Sequence, residues 1–194
     1  MDEGTGEMLL EAKEVFTVSF DSDGGSEVTT QAVISGQMAV KPEAPDRPGY
    51  TFAGWYPVED GDMADVAFDF EQTAIEADIT LKAAWEPIPF GLPGTPVFTL
   101  PKGIKTIKAD AFEGISAEVV WIPDGCTAIG DHAFTDCKEL KQIRIPDSVT
   151  TIGEDIFEGC NMVVVYGAAG SCAETYCGEG DNNCAFVAEP VNAG

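Results

Sequence analysis

Between Val97 and Cys160 the apolar positions return as a block. Phe98 and Leu100, Val120 and Ile122, and Ile143 and Ile145 each flank one variable residue, and each pair ends at a proline, Pro101, Pro123 or Pro146. These prolines are 22 and 23 residues apart, and so are Ile107, Ile129 and Ile152, and Phe112, Phe134 and Phe157. Strand side chains alternate between faces, so the paired apolar residues are expected to point inward and Thr99, Trp121 and Arg144 outward. A repeat in the low twenties, with one short strand and one helical or 3₁₀ turn per unit, predicts a leucine-rich-repeat type of solenoid whose strands stack into a parallel ladder.

Upstream the pattern is different. Residues 1–13 hold charged and small residues around Met8-Leu9-Leu10 and read as a flexible lead-in. From Val15 alternation is strict, with Phe16, Val18 and Phe20 on one side and Thr17 and Ser19 on the other, which predicts a half-buried strand. The turn formers Asp21 to Ser26 and the β-favouring run Val28 to Val33 complete a predicted hairpin. Pro42, Pro45 and Pro48 punctuate a loop before the aromatic strand Gly49 to Tyr56, and Glu59 to Asp65 reads as an acidic loop. In the last strand Ile79, Leu81, Ala83 and Trp85 share a face. Residues 14–87 therefore form one predicted sheet domain. Residues 88–96 form a linker rich in proline and glycine, and 97–189 form the solenoid with a C-terminal cap. Ile88, Phe90 and Leu92 are expected to pack on the open end of the solenoid.

Two stretches resemble known families. Phe20-Asp21 with Gly24-Gly25, Pro42, Arg47 to Tyr56, Phe68-Asp-Phe70 and Ile79 to Trp85 keep the order and spacing of the internalin B-repeat, also called the Listeria-Bacteroides repeat. That resemblance implies a small β-grasp-like domain of bacterial surface proteins that acts as a spacer or interaction module without catalytic residues. The three repeats, above all Ile143 to Cys160, resemble BspA-type leucine-rich repeats of bacterial surface proteins. Val163 to Gly167 and Gly170 to Tyr176 are similar to the ending of such arrays, which implies a final strand, a short capping helix and a last strand at Ala185 to Val187. With about three coils the concave surface is expected to be small. The fold class expected is mainly β in two domains.

Charge narrows the partners. Ten basic against 34 acidic residues give a net charge of -24, which repels phosphate backbones and makes nucleic acid an unsuitable partner. The acidity suits a solvated surface, or attraction for cations or a basic partner. No run approaches the roughly 18 apolar residues of a membrane helix, so no membrane insertion is expected within this fragment, and acids stand where a signal peptide would be basic. Any signal and anchor are expected outside it. Asp21-Ser-Asp23 and Glu59-Asp-Gly-Asp62 with Asp65 are the nearest approach to calcium ligands, yet they lack the EF-hand spacing and read as turns; no metal is predicted.

Cys126 takes the slot of Ile104 and Val149, and Cys137 and Cys160 share another slot one coil apart, so these three read as core residues. Cys172, Cys177 and Cys184 fall in the cap, where spacing allows one disulfide or free thiols but leaves a metal site short of a fourth ligand. His132, the single histidine, lies beside Asp131 but occupies the variable position of Asp110 and Asp155, so it reads as a surface residue. No nucleophile elbow or phosphate loop occurs, and no catalytic residue or cofactor is predicted.

Trp121 carries the sharpest functional hint. An outward tryptophan either marks a binding hot spot with Thr99 and Arg144, or is covered by Arg144 in a cation–π contact one coil away. The expected function is that of a non-catalytic fragment of a bacterial cell-surface protein, an adhesion module for an extracellular protein or glycan. The alternative is an accessory module of a larger secreted enzyme.

Overall fold

The computed structural model describes residues 13–91, 93–180 and 182–189. The lead-in, apart from Lys13, and Leu92 lie outside them. The chain forms two compact units, one comprising the residues up to Arg47 with Thr51–Glu86, the other Pro48–Tyr50 with Pro87 onward.

In the first unit the alternating run becomes β1 (Val15–Asp21), paired antiparallel with β2 (Gln31–Ile34). The aromatic strand is β3 (Tyr50–Glu59). The acidic stretch after it is not a plain loop, because β4 (Asp62–Met63) turns back on β3 as a hairpin. Asp60 and Gly61 at its tip both have positive φ, the backbone that a tight two-residue hairpin demands and that Asp-Gly tolerates. Finally β5 (Ile79–Pro87) runs parallel to β1 in a sheet of order β2-β1-β5-β3-β4. Register sets Val18 beside Ile79 and Phe20 beside Leu81, so the two apolar faces coincide. Buried Trp55 sits edge-on to Phe20 at 4.9 Å and to Phe52 at 5.4 Å, which closes the core.

The second unit is the solenoid. Its strands in order are β6 (Val97–Thr99), β7 (Thr106–Ile107), β8 (Val119–Trp121), β9 (Ala128–Ile129), β10 (Gln142–Arg144), β11 (Thr151–Ile152), β12 (Val163–Gly167) and β13 (Cys184–Ala188). The long ladder is parallel with order β13-β12-β10-β8-β6, and β11-β9-β7 form a second, three-stranded side. Prolines end the ladder strands, since they bring no N–H. Leu100, Val120, Ile122, Ile143 and Ile145 are buried as their spacing predicts. Phe98 is not: at the first coil nothing stacks before it and it stays 42% exposed.

Stacking also explains a glycine column. A Cβ on Gly130 would lie 2.5 Å from the Ala109 nitrogen, and one on Gly153 2.5 Å from the Asp131 nitrogen. The matching position of the first coil, with no coil before it, holds Lys108. Asp110, His132 and Asp155 share the next turn position but one, and all have φ between 51° and 57°, a left-handed backbone that Asp and His tolerate better than most residues.

Inside the coils Phe112, Phe134 and Phe157 form a ring column with centroids 5.4 and 6.2 Å apart. The helix α1 (Cys172–Gly178) closes it. Ser171 caps α1 by accepting the Glu174 N–H, while the Glu174 carboxylate accepts from Gly170. Tyr176 then sets its ring 6.3 Å from Phe157, and its hydroxyl accepts the Ile156 N–H at 3.0 Å.

Candidate functional site

The ladder places the three predicted residues in one row. Thr99 pairs with Trp121 and Trp121 with Arg144, and the row continues through Tyr166 and Val187. Thr99 and Trp121 are exposed, the latter at 36%, and Arg144 is half-buried. Five strands rather than three coils build this face.

Phe90 lies on the face itself, not on the open end of the solenoid. Its ring stands edge-on between Trp121, at 5.6 Å, and Tyr166, at 5.3 Å. Polar groups fix it there: the Gly91 N–H donates to the Gln142 side-chain oxygen at 2.9 Å, and the Gln142 amide donates to the Tyr166 hydroxyl at 3.0 Å. Burial pushes the Tyr166 phenol up to about 12. Gln142 is thus a buried polar residue with both ends satisfied.

Arg144 organises the other wall. Its guanidinium carbon is 4.6 Å from the centroid of the Trp121 ring, its Nε donates to the Glu189 carboxylate at 2.9 and 3.2 Å, and a terminal nitrogen reaches Asp124 at 3.4 Å. A cleft of about 390 Å³ results, lined by Phe90, Trp121, Tyr166, Arg144 and Glu189 with the Pro87–Pro89 segment. It combines aromatic surface with the Arg144 cation and the Glu189 carboxylate.

The sequence reading of this site named Thr99, Trp121 and Arg144 but missed Phe90, Tyr166 and Glu189. Tyr166 could have been found, because it continues the spacing of the outward row by 22 residues after Arg144. Glu189 had no such signal. Thr99 lies in the row but is not among the residues of the cleft.

The other candidates resolve into structure. Asp23 meets Lys82 at 2.7 Å and Arg47 at 3.6 Å, and Asp21 accepts the Asp23 N–H, so the first acidic turn is neutralised by its own sheet. His132 faces Glu158 at 3.4 Å from its turn.

Residues 16–84 match the family model of the Listeria-Bacteroides repeat domain, and residues 94–169 match that of the BspA type Leucine rich repeat region. The chain joins a Listeria-Bacteroides repeat to a BspA-type leucine-rich-repeat region. Trp121, Arg144 and Tyr166 of the cleft fall within the second of these stretches, whereas Phe90 and Glu189 lie outside both. Similar proteins come from Evansella cellulosilytica. One, named as a membrane protein, is 39% identical over 72 residues, which are 37% of this chain and 10% of that protein. Another, named as a Gly-rich membrane protein, is 38% identical over 82 residues, 41% of this chain and 9% of its own length. The chain thus matches about a tenth of the length of these relatives. No helix among the described residues is long and apolar enough to cross a membrane.

Proposed function

We propose that the chain is a non-catalytic, adhesive module of a bacterial cell-surface protein. The solenoid, residues 97–189, holds an extracellular protein or glycan on its ladder face, and the B-repeat unit, residues 14–87, serves as spacer. The observation that carries this reading is the ladder-face cleft, in which a partly exposed Trp121 stands among Phe90, Tyr166 and Arg144. Aromatic residues and arginine dominate binding hot spots because they offer a large rigid surface with a polar edge. Both repeat families and the names of the relatives support a place on the cell surface.

The experiment is a screen of the labelled chain against arrays of glycans and extracellular proteins, followed by titration of any hit. A saturable ligand that loses affinity on substitution in the cleft is the expected result. Binding that only the first unit supports would move the adhesive role to the B-repeat and overturn the reading of the ladder face.

A further inference from the structure

The ladder carries two outward rows, and much of both is already covered. Residues beside the inward positions face out, so Val119 and Gln142 belong to one row and Trp121, Arg144, Tyr166 and Val187 to the other. Val119, Gln142, Tyr166 and Val187 are nevertheless buried, with Gly91 hydrogen-bonded to Gln142 and Phe90 seated against Tyr166. In the middle of the face this leaves the exposed part of Trp121, Arg144 beside it, and the cleft of about 390 Å³ that they line. Size separates two kinds of ligand here. A folded protein partner needs about 800 Å² of surface on each side, whereas a cleft of about 300–1,000 Å³ encloses a small molecule or one unit of a chain. With the neighbouring outward positions buried, the cleft suits the smaller ligand.

Charge then selects among such ligands. Arg144 faces two carboxylates, Glu189 at 2.9 Å from its Nε and Asp124 at 3.4 Å from a terminal nitrogen, so the group is net negative within a chain of net charge -24. An anionic ligand is repelled. A cationic one would seek the indole, but the Arg144 guanidinium carbon already lies 4.6 Å from the ring centroid, and a second cation there meets like charge. A neutral ligand meets neither obstacle. The polar groups present are those that hydroxyls need, since each hydroxyl donates one hydrogen bond and accepts up to two. The Nη2 of Arg144 makes no hydrogen bond among the described residues and has two N–H groups to give, while the Glu189 carboxylate takes only the Nε–H there and keeps lone pairs to accept with. A fixed fork beside an acceptor and an aromatic surface matches a sugar ring, whose C–H face is apolar and whose rim carries neighbouring hydroxyls.

We propose that the cleft binds a neutral glycan, one sugar unit of which lies against the exposed indole of Trp121 with its hydroxyls hydrogen-bonded to Arg144 and Glu189. This role rests on the adhesive function proposed above and chooses, between the protein and glycan partners open to it, a glycan without charge. Phe90 is then a positioning residue, because its ring stands edge-on to the indole and is itself fixed by Tyr166.

The test places the whole chain on an array of neutral oligosaccharides of glucose, mannose, galactose and xylose, glycans bearing sialic or uronic acid, and extracellular proteins. The neutral oligosaccharide that binds best is then titrated by calorimetry. Saturable binding is expected, with a Kd that changes less than about twofold between about 0.05 and 0.5 M sodium chloride, because a neutral ligand has no charge to screen. Trp121→Ala should weaken it roughly 30-fold. Arg144→Lys leaves the indole in place and keeps the charge but loses the fork, and should weaken it by about fivefold or more, which gives a second measure of the same site. A neutral oligosaccharide whose affinity is unchanged in both variants would overturn the proposal, as would a strongly salt-dependent Kd or an array on which no neutral glycan binds. If an acidic glycan or a protein binds instead and loses affinity with Trp121→Ala, the ligand class is wrong and the ladder face stands as the adhesive surface. If every ligand found binds through the first unit, the ladder face falls as well.

Discussion

Arg144 binds two partners at once: its guanidinium carbon lies 4.6 Å from the centroid of the Trp121 ring while its Nε donates to Glu189 at 2.9 Å. One cation therefore fixes an indole and a carboxylate on neighbouring parts of the ladder face. Lysine has no planar fork to do both. Arg144→Ala removes the donor of the half-buried Glu189 and should lower the unfolding free energy by about 1–3 kcal/mol. Adding Glu189→Gln should recover part of that loss, since the orphaned charge is then gone. Urea unfolding of the four chains of this double-mutant cycle checks it; strictly additive losses would mean that the pair is uncoupled.

The glycine column gives a steric prediction. Gly153→Ala places a methyl group 2.5 Å from the Asp131 nitrogen, a backbone atom that cannot swing aside. A cost of about 2–4 kcal/mol is expected, in line with overpacking. Lys108→Ala, at the equivalent position of the first coil, should change stability by less than about 0.5 kcal/mol. Equal effects in thermal melts would show that coil stacking does not select the glycine.

Most of the solenoid was legible because stacking repeats every constraint. The phenylalanine column, the inward pairs and the outward row follow from one spacing applied three times. Phe98 departs for a physical reason that the spacing does not carry, namely that the first coil has no predecessor. The cleft was only half legible. Trp121 and Arg144 lie in the repeat, whereas Phe90 comes from a linker whose prolines say what it is not, and Glu189 from a tail beyond the last strand. Their placement depends on side-chain contacts across the sequence, which no local pattern records.

Alkaline pH should weaken the solenoid through two phenols. Burial pushes Tyr166 and Tyr176 up to about 12 from an ordinary value of 10.0. The folded state keeps these protons longer than the unfolded one, so their contribution is complete below pH 10 and is lost as pH rises towards 12. The loss should be on the order of 2–3 kcal/mol for each. Tyr176→Phe, although weaker at neutral pH for want of the bond to Ile156, should lose less further stability between pH 10 and 12. A parallel decline in the variant and the parent chain would reject this assignment.

Calcium should leave the first unit alone. Lys82 and Arg47 already meet Asp23, and the Asp60-Gly61 backbone is set by its hairpin. Melting followed across a calcium titration is expected to shift only as much as an equal ionic strength of sodium chloride shifts it. A saturable additional rise at micromolar to low-millimolar calcium would show that the acidic turns bind the ion, because a ligand that binds the folded state stabilises it.

Trp121 tests the ladder face directly. Its neighbours Val120 and Ile122 are buried and hold the strand, while its own ring meets Phe90 edge-on and the Arg144 guanidinium. Trp121→Ala should accordingly keep the fold and lower stability by about 1–2 kcal/mol, the worth of one edge-on ring pair and one cation–π contact. For a ligand held in the cleft the loss of affinity should be larger, about 2 kcal/mol or more, which is a factor of roughly 30 in Kd. Trp121→Phe should recover part of it, because a smaller ring still offers an aromatic face. The comparison that decides is affinity against melting in the same preparations. A well-folded Trp121→Ala chain that binds as tightly as the parent would remove the cleft as the binding site.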